Sequence, residues 1–134
     1  MSEFAQYTTR HIPWQEGADG PDAYDCMSFA RMIQSKHFGI QMDRIMIADY
    51  DDGLGLLALL NSCGERAHWE PVKVQQHGDV VVARRPLHIG VYLAVDGCGV
   101  LHCLRGAGVI FTRDAAWATS GIGRKTYLRH RSKM

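Results

Sequence analysis

Hydrophobic positions follow two different periods along the chain. Over residues 26–38 they recur at helical spacing, with Cys26 and Ala30 on one stripe, and Gly39 is placed to end the helix. A second apolar run, residues 53–62, predicts a short buried helix rather than a strand. The regular secondary structure in the first half of the chain is therefore predicted to be helical.

From residue 70 onward the period changes towards two, which is typical of strands. The alternation predicts strands at about 72–75, 79–84, 88–95, 99–104 and 124–129. A helical turn is expected around Trp117, between the last two of these strands. Helices followed by strands predict an α+β domain whose N-terminal helices pack on an antiparallel sheet.

Length and composition fit one globular domain over residues 1–134, in which residues 1–23 are a loop-like N-terminal segment. A net charge of +1 argues against a nucleic-acid partner, and the basic residues near the end are interpreted as a solvated final strand. No signal-peptide pattern or membrane-length apolar run is present, so synthesis in the cytoplasm and no membrane partner are expected.

The cysteines form no Cys-x-x-Cys pair and show no spacing typical of structural zinc. The one dense cluster is Cys98, His102 and Cys103, within a predicted hairpin. Neighbouring strand residues point to opposite faces, whereas a metal needs its ligands on one face. We therefore expect no metal site.

Cys26 directly follows Asp25, a good N-cap for the predicted helix. In the first helical turn the dipole and unpaired N–H groups favour a thiolate, the nucleophilic form of cysteine. The charge of Asp25 opposes that shift, so a second activator such as a histidine is required. The alternative is a small buried cysteine that begins a core helix. Asp25 alone does not distinguish the two interpretations.

Two histidines on neighbouring strands are candidates for that activator. Alternation places His88 on one face of its strand, and His102 follows on the next strand. A tight two-residue turn at Asp96-Gly97 would send His102 to the other face. A histidine pair opposite each other on one face therefore requires an odd-length loop or a β-bulge near residues 96–99. Taken singly, each histidine is better interpreted as a surface residue or a hydrogen-bonded core residue than as a catalytic one, whereas both together with Cys26 favour a catalytic site.

These residues resemble the motifs of the NlpC-type cell-wall cysteine peptidases, especially the subgroup found in phage tails. The resemblance covers most of the chain from residue 24 and keeps the order Cys, His, His. Its blocks are Asp25-Cys26 at a helix start, Gly78-Asp79 leading into His88-Ile-Gly-Val-Tyr92, Val100-Leu-His102-Cys103, and the closing residues 108–129.

The resemblance implies a papain-like fold and a cysteine endopeptidase or amidase. Cys26, near the surface, would attack the amide carbonyl with its own N–H helping to stabilise the oxyanion. His88 would pair with the thiolate as a cation and protonate the leaving amine, and His102 would orient the His88 ring. Tyr24 would face the substrate cleft or simply pack in a loop.

The implied substrate is the peptidoglycan stem peptide, cut at the bond from γ-D-glutamyl to diaminopimelate, without a cofactor. The implied setting is a phage or prophage tail, with tail proteins as partners and delivery to the periplasm; a toxin delivered by a secretion machine is equally compatible. A non-catalytic tail assembly protein and a papain-like amidase acting on another acyl amide are the alternatives.

Overall fold

The computed structural model describes residues 3–42, 69–83 and 88–134, and the predicted helix at 53–62 lies outside these ranges. The described helices are α1 (Ala5–Thr8), α2 (Cys26–Phe38) and α3 (Asp114–Trp117), with a 3-10 turn at Arg131–Lys133. None of the helices in these ranges is long and apolar enough to cross a bilayer.

The strands pair in one antiparallel sheet, so the predicted α+β class with an antiparallel sheet is confirmed. Within the described ranges its order is β1-β6-β2-β3-β4-β5. The strands are β1 (Trp69–Val72), β2 (Val80–Ala83), β3 (His88–Leu93), β4 (Gly99–Leu104), β5 (Gly108–Arg113) and β6 (Lys125–His130).

Helix α2 has the bounds that its sequence predicts, because both ends carry strong local signals. Asp25 has an extended backbone, and its Oδ1 accepts a hydrogen bond from the Ser28 N–H at 2.8 Å. Gly39 ends the helix in the left-handed region, with φ 69°. Asp25 is therefore the N-cap, as predicted, and its other oxygen accepts from the Gly17 N–H at 3.2 Å.

Three elements differ from the sequence prediction. The first strand is Trp69–Val72 rather than 72–75, because its partner β6 pairs Trp69 with His130. Strand β5 is additional to the strands predicted from alternation, although the resemblance places a closing strand at residues 108–110; its pairing with β4 forms it. The predicted loop at 1–23 contains α1, whose Tyr7 hydroxyl pairs with the His37 ring on α2 at 2.8 Å.

The two faces of the sheet bury different sets of side chains. Alternation on β3 directs Ile89, Val91 and Leu93 into the core shared with α2. The residues between them, including Tyr92, lie on the other face, in a smaller apolar cluster with Trp117 of α3. The histidines lie on this second face, since His88 and His102 share the parity of Tyr92.

The connection between β3 and β4 sets this parity. The ladder ends at the pair Leu93 and Gly99, so residues 94–98 form a connection of odd length. Asp96, Gly97 and Cys98 all have positive φ, and the Cys98 N–H donates to the Val95 carbonyl at 2.9 Å. The odd-length loop required to bring both histidines to one face is confirmed.

Asp79 of the Gly78-Asp79 step has a structural role. Arg129 of β6 donates to both carboxylate oxygens, each at 2.9 Å, and the Gln76 N–H donates to Oδ2 at 2.7 Å. Asp79 is only 2% exposed, so its charge is compensated by this bidentate pair. Through the Asp79–Arg129 ion pair, the Gly78-Asp79 step connects the turn before β2 to the neighbouring strand β6.

Candidate active site

His88 and His102 lie against each other on the second face of the sheet. Nε2 of His88 is 2.6 Å from Nδ1 of His102, and the ring centroids are 4.8 Å apart at 70°. The register differs from the expected one, because Gly90, not His88, is directly opposite His102. His88 is the diagonal neighbour, a position within reach of long and aromatic side chains.

Gly90 makes room for this diagonal contact. A Cβ atom at position 90 would lie 2.5 Å from Cγ1 of Val100 and 3.0 Å from Cβ of His102. Both distances are shorter than ordinary carbon contacts. A side chain at residue 90 would therefore displace the strand residues that carry the His102 ring.

The second nitrogen of His102 has a partner that sequence reasoning missed. Nε2 of His102 is 2.8 Å from Oγ1 of Thr112 on β5. The Trp117 ring packs over His102, with 5.7 Å between centroids. The alternation in residues 108–113 was too weak to predict β5, and only the β4–β5 register brings Thr112 to the histidine face.

Burial keeps both rings neutral near pH 7. His88 is 6% exposed, and loss of solvation lowers its pKa to about 4. Burial, and secondly the proximity of His88, lower the pKa of His102 well below its usual range. This differs from the expected cationic His88, because a buried imidazolium is poorly solvated. The ring is instead a neutral imidazole at pH 7.

The shifted pKa of His88 predicts an acid-dependent stability. Because the folded pKa is depressed, the stabilisation is complete above the unfolded pKa of about 6.5 and is lost as pH falls towards about 4. We expect His88 alone to account for a loss of about 3 kcal/mol between pH 7 and pH 4. Urea unfolding of wild type and His88→Gln at several pH values measures it, with exposed His11→Gln as control. An equally steep acid dependence in His88→Gln would contradict the assignment.

Cys26 is the first residue of α2, directly after its N-cap. Its N–H belongs to the first turn, where amides have no intrahelical acceptor. Cys26 is 1% exposed, whereas the sequence interpretation placed the thiol near the surface. The burial follows from the packing of α2 on β3 and β4. Helix α2 thus packs on the two strands that bear the histidines, from the face opposite to the histidine rings.

Cys103 locates the start of α2 along β4. Its Sγ donates to the Tyr24 carbonyl at 3.3 Å. Burial, and then the nearby Cys26 and Asp25, raise its pKa to about 12, so Cys103 remains a thiol at neutral pH. Cys103 follows His102 directly and points to the opposite face of β4, so residues 24–26 lie on the core side of the sheet and the histidine rings on the other side.

Two of the three predicted catalytic residues are therefore in direct contact. Within the described ranges, the hydrogen bond that the structure gives to His88 is the one from Nε2 to His102. This leaves Nδ1 of His88 as the nitrogen available to a thiol. The approach of Cys26 to that nitrogen stays a prediction.

Tyr24 packs before the start of α2, and its role in a substrate cleft stays a prediction. Its ring packs on Phe29 with 5.5 Å between centroids, and burial raises the pKa of its hydroxyl. Tyr24 also lines a cavity of about 270 Å³ beside α2. The other lining residues are Asp19, Arg31, Met32, Ser35, Lys36 and Gln41.

Among the described residues, no three His, Cys, Asp or Glu side chains are grouped so that they would hold a metal ion. No protein-family model matches the chain, and no curated protein matches it either. The likeness to NlpC-type peptidases therefore rests on the residues of this chain and their spacing.

Proposed function

We propose that the protein is a cysteine peptidase of the NlpC type, with a papain-like fold, that hydrolyses amide bonds in peptidoglycan stem peptides. The observation that carries the proposal is the buried contact between His88 Nε2 and His102 Nδ1. A neutral imidazole held by one nitrogen presents its other nitrogen as a base. The helix that begins at Cys26 packs on the same two strands from the other face of the sheet, so the proposal requires the thiol to reach Nδ1 of His88 at the start of β3.

In the acylation step, Cys26 Sγ attacks the amide carbonyl carbon while its proton moves to Nδ1 of His88. The carbonyl oxygen becomes an oxyanion, which we expect the Cys26 N–H in the first turn of α2 to stabilise. The C–N bond then breaks, and His88 returns the proton to the leaving amine. The products are a thioester on Cys26 and a free amine.

In the deacylation step, a water molecule attacks the thioester carbonyl and His88 accepts a proton from it. The C–S bond breaks, the acid product leaves, and the proton returns to the Cys26 sulfur. His102 holds the ring plane of His88 through both steps, because its Nδ1 lies 2.6 Å from Nε2 of His88. At pH 7 His88 is unprotonated and can accept both protons, and its pKa of about 4 makes it a weaker base than an imidazole of ordinary pKa.

The cavity beside Tyr24 is lined by charged residues, including Arg31, Lys36 and Asp19, with an Arg31–Asp19 ion pair of 3.7 Å. Among the described residues its lining does not include Cys26, His88 or His102, so it gives no preference between a peptide and a lipid amide. Association with a phage tail and delivery to the periplasm stay predictions of the resemblance.

Digestion of purified peptidoglycan sacculi by the purified protein tests the proposal. We expect new muropeptides whose stem peptides have been cleaved at one amide, with a new amine and a new carboxyl group. Mass spectrometry of the soluble products, with fragmentation, identifies the bond. If prolonged incubation under reducing conditions leaves sacculi intact and isolated muropeptides uncleaved, the proposal is wrong, and the non-catalytic tail protein becomes the better interpretation.

A further inference from the structure

A line of polar side chains crosses three neighbouring strands on the histidine face. It runs from His88 on β3 to His102 on β4 at 2.6 Å, and on to Oγ1 of Thr112 on β5 at 2.8 Å. Each step is diagonal in the ladder, since His102 is opposite Gly90 and Thr112 is opposite Val100. The shared face and the short distances make this one hydrogen-bonded unit.

The direction of these hydrogen bonds is set once His88 becomes protonated. An imidazolium donates from both nitrogens, so Nε2–H of His88 requires an acceptor at Nδ1 of His102. A neutral His102 then carries its proton on Nε2 and must donate from there. Because His102 is 0% exposed, Thr112 Oγ1 is the acceptor that the structure provides for this proton.

We propose that Thr112 is a positioning residue that holds His102 in the tautomer required for His88 to act as a base; this inference rests on the proposed function. The reverse arrangement, with Thr112 donating to Nε2 of His102, places a proton on Nδ1 of His102. That proton points at Nε2 of His88, so the His88 proton lies on Nδ1, the nitrogen that must accept from the thiol. Thr112 as acceptor gives the productive arrangement.

Thr112→Val is the decisive variant, because valine keeps the β-branched shape and removes the acceptor. The buried Nε2–H of His102 then has no partner in the productive tautomer, and this penalty falls on the state in which His88 is charged. We expect kcat/KM for a soluble stem peptide to fall by about ten- to a hundred-fold. Thr112→Ser, which retains the hydroxyl, is expected to keep activity within about three-fold of wild type.

A spectroscopic measurement separates this inference from the proposed function. ¹⁵N NMR of protein that carries ¹⁵N in its histidine rings reports which nitrogen of each ring is protonated. In wild type and Thr112→Ser we expect the His102 proton on Nε2, and in Thr112→Val a shift of population towards Nδ1. Thermal unfolding confirms that the variants are folded.

The outcomes are distinguishable. If wild type cleaves no stem peptide while Thr112→Val still changes the tautomer of His102, the proposed function fails and the positioning role of Thr112 stands as a structural property. If wild type is active and Thr112→Val matches it in both kcat/KM and tautomer, the inference about Thr112 is overturned. An equal loss in Thr112→Ser and Thr112→Val would also overturn it, because the hydroxyl would not matter.

Discussion

Cys26→Ala is expected to abolish hydrolysis of peptidoglycan stem peptides, with kcat reduced by about a thousand-fold or more. Without the sulfur no thioester forms, and neither histidine has a nucleophile to activate. Cys26 is 1% exposed but small, so we expect a stability loss of about 1 kcal/mol and an intact fold. Turnover of a defined stem peptide and thermal unfolding measure the two effects.

Cys98→Ala is the matched control for this experiment. Cys98 is a partly exposed thiol in the connection between β3 and β4, and it has no place in the proposed chemistry. We expect Cys98→Ala to hydrolyse the substrate at close to the wild-type rate. Equal activity of Cys26→Ala and wild type would contradict the catalytic role of Cys26. Loss of activity in Cys98→Ala would instead indicate that Cys98 is the nucleophile.

The second large effect is expected at the histidine pair. His88→Ala removes the base that takes the thiol proton, so kcat should fall nearly as far as in Cys26→Ala. His102→Ala leaves that base in place and removes only the group that orients its ring. We therefore expect the kcat of His102→Ala to be about ten-fold or more above the kcat of His88→Ala.

The same peptide assay, with substrate saturation, compares the two variants, and circular dichroism checks that both are folded. Exposed His11→Ala serves as a control for the loss of an imidazole elsewhere. A reversed ranking, with His102→Ala the more damaged variant, would mean that His102 is the base and His88 the orienting residue.

Local signals in the sequence were sufficient to predict α2 and its ends. Asp25 and Gly39 each act within one turn of the helix, so their effects need no distant contact. The helical turn at Trp117 was predicted for the same reason and is confirmed as α3. The residues of the candidate site were also found in the sequence, and the contact of the histidines was predicted conditionally on the loop.

The features of the site that the sequence did not predict depend on pairing between strands that are distant along the chain. The β3–β4 register made His88 a diagonal rather than an opposite neighbour of His102, and the β4–β5 register brought in Thr112. The Trp117 ring of α3 packs over His102, a contact that no single strand pattern contains. The neutral state of His88 follows from the burial of its own ring, so motif spacing alone did not predict it.

The odd length of the connection at residues 94–98 limits how this region can vary in evolution or engineering. Removing or adding one residue, without a compensating bulge, exchanges the faces of all β4 side chains. Cys103 would then point at His88, and His102 would enter the core beside α2. Removing or adding two residues preserves both faces. Length changes that keep the histidine pair are therefore expected in steps of two, while the composition of the loop is constrained mainly by its positive φ angles.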